Sequence, residues 1–329
     1  MTLEEIAKEL GVSKSTVSRA LSGKGRIGEE TRNKIYSYAK ECGYATKKEI
    51  RLNLSKTKNI GVIIPSDAYE VTMPFFQECL LGICECTLKQ DYNVVIGTHQ
   101  GYDISGIKQL VENKKVDGII LMRNLEDDIA VKYLIEKNIP VSIVGTCGET
   151  NVIQVDSDNR VATESLVQML VARGYERFAL LLGDFSYRVN RERYEGYREG
   201  IMKAGLSNEN QAVYKNVIDQ QDMDDVIYSI MMKKIQHIIC GDDVICTKIV
   251  SKLQSEGYKI PEQIAVASLY NSTNLECFSP PITTVNVSAK LLGNMAAKQL
   301  IQCLQGKEYN RKTNVDYEIL FRKSTGRVS

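Results

Sequence analysis

Apolar residues recur every three or four positions at the start of the chain, and the rhythm changes near residue 60. Leu3, Ile6, Ala7 and Leu10 fall at i, i+3, i+4 and i+7, the inward stripe of an amphipathic helix. Thr2 and Glu5 place an S/T-x-x-E capping box in front of it. Gly11 accepts the left-handed backbone that ends it. Ser13 can cap a second helix whose inward residues are Val17, Ala20 and Leu21. A third helix is expected from Glu29 to Cys42, with Thr31, Ile35, Tyr38, Ala39 and Cys42 on its core face and Gly43 as its stop. Ala7, Gly11 and Val17 then sit at the crossing, turn and core positions of a helix-turn-helix, closed by a third helix.

From Ile60 onward the pattern alternates between short apolar runs and helical stripes. "IGVIIP", "YNVVIG", "DGIILM" and "PVSIVG" read as buried strands, with helices over 74–91, 104–114 and 128–137 between them. After "VIQVDSDN" the rhythm restarts: helix 160–173, strand "RFALLLG", helix 191–204, strand "HIIC", helix 243–256 and strand "IAVASL". Alternation of this kind builds parallel sheets covered by helices on both faces. Two rounds of it predict two similar lobes, with a ligand cleft at the carboxyl ends of their strands.

Charge divides the chain at the same place. The whole carries 42 Lys and Arg against 41 Asp and Glu. Residues 1–58 hold 13 basic and 7 acidic residues, a local charge of +6. A basic head on a mildly acidic body suits a DNA reader joined to a separate sensing domain. The outward stripe of the second helix fits that reading: Lys14, Ser15, Ser18, Arg19 and Ser22 are long cations and short hydroxyls, which in a major groove can reach base edges and phosphates. A solvated polar face would carry the same residues.

Other classes find less support. The nine cysteines form no CxxC and have no histidine at zinc-ligand spacing, which favours reduced, buried thiols. No apolar run approaches the length of a membrane span, and the opening segment is a capped helix in place of a signal peptide, so a cytoplasmic protein is expected. No cofactor is implied. There is no G-x-S-x-G, no P-loop and no G-x-G-x-x-G after a strand. His99 and His237 have no evident Ser or Cys partner, and the Asp127–Asp128 and Asp224–Asp225 pairs read as helix-start charges. An enzyme is therefore not expected. The alternative kept open is a cytosolic ligand-binding or enzymatic lobe pair with a vestigial DNA-binding head.

A resemblance sharpens the picture. "GVSKSTVSRALSGKGRIGEETRNKIYSYAKECGY" resembles the N-terminal module of the LacI/GalR family of bacterial transcription regulators, through V-S-x-x-T-V-S-R-x-L, then E-E-T-R, then G-Y. Along the body "IGVIIP", "MPFF", "VDGIIL", Asp158–Asn159, "ERYEGYREGIMKAGL", "IPEQIAVAS" and "SPPITTV" follow in the family's order. The resemblance implies an all-α helix-turn-helix head (1–44), a hinge or linker (45–59), and a two-lobe α/β body (60–329) like a periplasmic binding protein, with parallel sheets and three crossovers. The first lobe would take about 60–157 and 285–312, and the second about 158–284 and 313–329. The last helix, about 288–305, would belong to the first lobe, and the final strand, "VDYEILF", to the second.

The resemblance also implies roles. Lys14 and Ser15 would face base edges, Arg19 would read a base, and Thr16 and Ser18 would hold phosphates of double-stranded operator DNA. Lys24 and Arg26 would be phosphate anchors. The linker departs from the family's hinge pattern, with Thr46 at its proline and Lys47 at its asparagine, and leaves Leu52 or Leu54 as the minor-groove wedge. A homodimer is implied, with much of its face on the first lobe, where helix 75–89 carries Cys79, Leu80, Ile83, Cys84, Thr87 and Leu88. In the cleft, Phe75 and Phe76 would present aromatic surface and Arg193 would grip effector oxygens. Asp242 stands where the family usually has asparagine. "SLYN" replaces "GFDD", which puts Tyr270 near the ligand and removes a sugar-binding carboxylate. With Arg188 and Arg191 nearby, the expected small-molecule effector is anionic or aromatic, such as a sugar phosphate, the open alternative being that Arg188 and Arg191 are solvated helix-start residues and only Arg193 enters the cleft.

Overall fold

A computed structural model of the chain describes residues 2–22, 27–42, 44, 56–66, 74–217 and 220–326. Two compact units result, Met1–Thr57 and Lys58–Ser329. The side chain of Ser22, together with Lys24, Arg26, Leu52 and Leu54, lies outside the described residues.

The head consists of α1 (Leu3–Glu9), α2 (Lys14–Ser22) and α3 (Glu29–Glu41). The capping box is present: Glu5 N donates to Thr2 Oγ1 at 3.3 Å, and Thr2 N donates to Glu5 Oε2 at 2.7 Å. Gly11 has φ +64°, and Val12 N closes the turn on Ala7 O at 3.0 Å. Ser13 Oγ accepts from Thr16 N at 3.1 Å and caps α2. Ile6, Ala7, Val17, Ala20, Leu21, Ile35 and Ala39 form the buried core. Thr31, expected on the core face of α3, is exposed, while Tyr38 and Cys42 are half-buried. Ile35 and Ala39 suffice to cover the small α1–α2 pair.

The body contains two six-stranded sheets. The first is built from β1 (Asn59–Pro65), β2 (Asn93–His99), β3 (Gly118–Leu121), β4 (Val141–Val144), β5 (Ile153–Asp156) and β11 (Lys312–Asn314) in the order β11-β5-β4-β3-β1-β2. Every pairing in it is parallel. Its helices are α4 (Pro74–Lys89), α5 (Ser105–Glu112), α6 (Ile129–Glu136) and α12 (Ala289–Leu304). The second sheet has the order β12-β10-β9-β8-β6-β7, from β6 (Phe178–Leu181), β7 (Ala212–Tyr214), β8 (His237–Cys240), β9 (Ala265–Ser268), β10 (Thr283–Val287) and β12 (Tyr317–Leu320). Only β12 runs antiparallel there. Helices α7 (Asn159–Val171), α8 (Arg188–Lys203), α9 (Gln220–Met232), α10 (Asp243–Ser255) and α11 (Thr273–Cys277) accompany it. The chain passes between the sheets after β5, after β10 and after β11.

The strands are buried on both faces, which is why their sequences read as unbroken apolar runs. Ala179 and Leu181 of β6 point into one core with α9 and α10, and Phe178 and Leu180 into another with α7 and α8. Glycines set the helix spacing in both lobes. A Cβ at Gly293 of α12 would stand 2.1 Å from Cys79 O, and one at Gly82 of α4 would stand 1.9 Å from Lys290 O. Gly196 of α8 meets Arg160 O of α7 in the same way, at 2.1 Å.

Three details differ from the sequence pattern. No element was assigned between 205 and 236, where the fold has β7 and α9; a three-residue edge strand has no period to read. β11 was not expected, and it ties the end of the chain back to β5 before β12 crosses over. Helix α8 begins at Arg188, three residues earlier than expected, with Tyr187 buried as its N-cap.

His237 is a core residue. Its ring packs edge-on against Tyr175, centroids 5.0 Å apart, and beside Phe178 at 5.6 Å. Neither ring nitrogen has a well-formed hydrogen bond, and burial pushes the imidazole down to about 3, outweighing a small opposite pull from the Ile238 backbone. The folded protein thus keeps His237 neutral where the unfolded chain takes up a proton, so stability falls as pH drops below about 6.5 toward about 3. Replacing His237 by Phe should remove this term. Chemical denaturation at pH 7 and pH 5 should show the variant gaining about 2 kcal/mol on the wild type over that interval. A gap that does not change with pH would contradict the assignment.

Candidate ligand cleft and nucleic-acid interface

In the head, Val17, Ala20 and Leu21 face inward and leave Lys14, Ser15, Ser18 and Arg19 exposed on the other side of α2. Thr16 is half-buried and its hydroxyl lies 2.8 Å from Ser13 Oγ, as does that of Ser15. These hydroxyls therefore also serve the helix start. Lys14 is ion-paired with Glu4 of α1. The stripe lies along one α-helix, an element that a major groove admits.

In the body, the carboxyl ends of both sheets open onto one cleft, whose space of about 920 Å³ includes its solvent-open mouth. One wall is aromatic. Phe75 stands edge-on to Phe76, centroids 5.4 Å apart, and to Tyr270 at 5.5 Å. Phe75 and Phe76 open α4, and Tyr270 follows β9, so the wall draws on both lobes. Burial raises the Tyr270 phenol above its usual range, and it stays neutral.

Polar side chains share the lining. Arg193 Nε donates to Asn159 Oδ1 at 3.2 Å, and Asn159 Nδ2 donates to Asp156 Oδ1 at 3.1 Å. Because both ends of the amide are engaged, its orientation is fixed. Arg193 is half-buried, and desolvation pulls its guanidinium below the ordinary range, while Asp242 opposes that shift. Asp242 is itself buried, and its Oδ1 caps α10 by accepting from Ile245 N at 2.8 Å. Asp156 is pushed up to about 7, by burial first and then by the charge of Glu192. Arg123 also lines the cleft, with its guanidinium 4.1 Å from the centre of the Tyr187 ring.

The lobes are clasped beside this cleft. Arg188 Nε donates to Thr146 Oγ1 at 2.7 Å and to Glu192 Oε1 at 3.2 Å, and its NH1 reaches Glu126 Oε1 at 2.9 Å. Thr146 Oγ1 in turn bonds Glu192 Oε1. Backbone bonds join the same segments: Arg188 N to Asn124 O at 3.3 Å, and Glu126 N to Ser186 O at 3.1 Å. Glu126 and Thr146 belong to the first lobe; Arg188 and Glu192 belong to the second. Burial is the main influence on Glu192 and raises its pKa; Thr146 and Arg188 pull the other way.

Of the residues singled out from sequence, Phe75, Phe76, Arg193, Asp242 and Tyr270 meet at the cleft. Arg188 and Arg191 do not line it. Arg188 is spent on the clasp, and Arg191 stacks 4.9 Å from the Phe185 ring centre. Arg188 and Glu192 stand one turn apart on α8 and meet in the clasp, while the Phe185 ring ahead of the helix holds Arg191. Sequence reasoning missed Arg123, Asp156 and Glu192. Arg123 and Asp156 carried a usable signal, since each directly follows or ends a buried strand at its carboxyl end. Among the described residues no cluster suits a metal ion, all nine cysteines are free, and no helix is long and apolar enough to cross a membrane.

Comparison with known proteins gives the following. The family described as "Periplasmic binding proteins and sugar binding domain of LacI family" matches residues 57–324, and "Bacterial regulatory proteins, lacI family" matches residues 2–47. The HTH-type transcriptional regulator MalR of Staphylococcus xylosus is 29% identical, over 93% of this chain and 92% of its own. A complex of the transcriptional regulator CelR with cellobiose superposes with a TM-score of 0.72 at 23% identity, covering 98% of this chain and 99% of that one. The lac repressor dimer bound to operator and an anti-inducer does so with a TM-score of 0.71 at 20% identity, covering 99% of each chain.

The clasp geometry yields a direct test. Arg188→Ala leaves Glu192 and Glu126 without their shared cation across the lobe boundary. Amide hydrogen exchange at Glu126 should quicken by on the order of tenfold or more, with the β1 and β6 amides unchanged. Unaltered exchange at Glu126 would mean that the backbone bonds alone hold the lobes together.

Proposed function

Because the chain belongs to the LacI family of bacterial regulatory proteins, and is a DNA-binding transcriptional regulator with a small-molecule effector domain, we propose that it is a cytoplasmic, dimeric repressor whose effector is a polyhydroxylated, carbohydrate-type molecule. It acts by binding and not by catalysis. The observation that carries the effector reading is the cleft itself, where an aromatic wall of Phe75, Phe76 and Tyr270 shares the lining with the hydrogen-bonded chain Arg193–Asn159–Asp156. Apolar rings together with fixed polar groups suit a sugar, which has an apolar face and a rim of hydroxyls. CelR, with its bound cellobiose, is a relative of the same fold.

The sequence favoured an anionic effector because three arginines converged. With Arg188 in the clasp and Arg191 on Phe185, Arg193 is the one of the three that faces the cleft. Three carboxyl-bearing residues, Asp156, Glu192 and Asp242, line it as well. A phosphate there would meet more acids than bases, so the neutral ring is the better fit. These acids also replace the carboxylate absent at 270–271.

The dimer reading rests on the first lobe. Leu88 is 80% exposed and Leu81 60% on α4, with Ile96 54% exposed on the edge strand β2 and Leu291 46% on α12. Of the α4 stripe, Cys79, Ile83 and Thr87 pack inward and Leu88 points out. A two-fold pair would bury these leucines and bring two heads to the halves of a palindrome.

Within each head, Lys14, Ser15 and Arg19 read base edges, with Thr16 and Ser18 on phosphates. Fluorescence anisotropy with the upstream region of the protein's own gene tests this. Arg19→Ala should lose on the order of 1–3 kcal/mol at the specific site and little on random DNA. A folded Arg19→Ala protein with full operator selectivity would sink the assignment of α2 as the reading helix.

A further inference from the structure

Asp156 ends β5, where the chain first leaves the first lobe. It is 6% exposed. Its Oδ1 takes the Asn159 amide and the adjacent Ser157 N–H also favours the charged carboxylate, but its Oδ2 is buried with no well-formed hydrogen bond among the described residues. A buried polar atom left unpaired is costly, and in a binding site it marks where a ligand atom belongs. Asp156 borders both the effector cleft and a polar recess behind it that includes Glu192 and Lys312.

The direction of the hydrogen bonds restricts what can satisfy Oδ2. Arg193 Nε donates to the oxygen of Asn159, so the Asn159 nitrogen must face Asp156, and Oδ1 is an acceptor. The charges restrict it further. The cation acting on Asp156 is Arg193, and Arg193 is drawn more strongly by Asp242. Glu192 leans on Arg188 of the clasp, and its charge works against that of Asp156. Asp156 thus has only the smaller share of Arg193 as a counter-charge in the cleft. A ligand hydroxyl could donate to Oδ2 but would leave the repulsion from Glu192 in place. A ligand ammonium would supply the hydrogen bond and offset the charge together.

We propose that Oδ2 of Asp156 is the seat of a protonated amino group, so that the effector is an amino-bearing carbohydrate and not a plain one. This deepens the reading of the cleft as a carbohydrate-type effector site and rests on it. The rest of the ligand lies as proposed above, with its ring on Phe75 and Tyr270 and its oxygens on Arg193. Asp156 would then be the residue that separates an amine from a hydroxyl at one position of otherwise identical sugars.

Calorimetry on the full-length protein tests this with two matched series: glucose, glucosamine and N-acetylglucosamine, and galactose, galactosamine and N-acetylgalactosamine. In at least one series the free amine should bind at least about tenfold tighter than the parent sugar. Its N-acetyl derivative, which keeps an N–H but loses the charge, should lose that advantage. In Asp156→Asn, which keeps the acceptor toward Asn159, the preference should collapse to within about twofold. The acetylated comparison uses the wild-type protein and stands even if the variant does not fold. Parent and amine binding alike in the wild type, or a preference that persists in a folded Asp156→Asn, would overturn the amine seat and leave the carbohydrate reading intact. A wild-type protein that binds no member of either series would overturn the carbohydrate reading and this inference with it.

Discussion

The body depends on one guanidinium. Arg188 stands at the first turn of α8 in the second lobe and reaches Thr146 and Glu126 in the first, with Glu192 one turn behind it. Two separate parallel sheets have no hydrogen-bonded ladder in common, so their relative position is set by the three crossing segments and by contacts such as this clasp. The planar fork of an arginine suits the task, since one side chain serves several acceptors in fixed directions. Most of the acceptors are partly exposed, so the clasp is a modest interaction, strengthened by its backbone neighbours. A modest clasp is what a sensing domain requires. Lobes joined too firmly would have one arrangement whatever was bound between them.

The same geometry explains why polar and aromatic side chains share the lining of the cleft. Parallel strands present their carboxyl ends together, so the residues that end β3, β5, β8 and β9 all arrive at one opening. There Arg123, Asp156, Asp242 and Tyr270 follow runs of buried aliphatic residues. Each polar side chain at this boundary loses water on folding and must find a partner. Asp242 finds it at the start of α10, Asn159 between Arg193 and Asp156, and Glu192 in the clasp. Asp156 is satisfied on one oxygen only.

Much of this was legible beforehand, for physical reasons that can be named. The capping box at Thr2, the turn at Gly11 and the stripe at Ile6, Val17 and Ile35 are local, and local rules sufficed for the head. Strands buried on both faces announce themselves as apolar runs, so both sheets could be read before their order was known. The cleft was legible only in part. The aromatic wall and Arg193 came through resemblance, but the fates of Arg188 and Arg191 turned on tertiary partners that no local rule shows, Thr146 and Glu126 across the lobe boundary for the one and the Phe185 ring for the other. Asp156 and Glu192 were not singled out because neither motif nor period marks a carboxylate whose partners lie across a lobe boundary. The β7–α9 stretch and β11 escaped because edge strands of three residues have no readable alternation.

The central claim is that a molecule bound between the lobes sets the affinity of the head for operator DNA. The most direct measurement is operator Kd, by fluorescence anisotropy, with and without a sugar that calorimetry has shown to occupy the cleft, for the wild type and for Arg193→Ala. The account predicts a change of at least about tenfold in the wild type, the scale of ordinary allosteric coupling, and none in Arg193→Ala at the same sugar concentration. A sugar that saturates the cleft and leaves the wild-type operator Kd unchanged would contradict it.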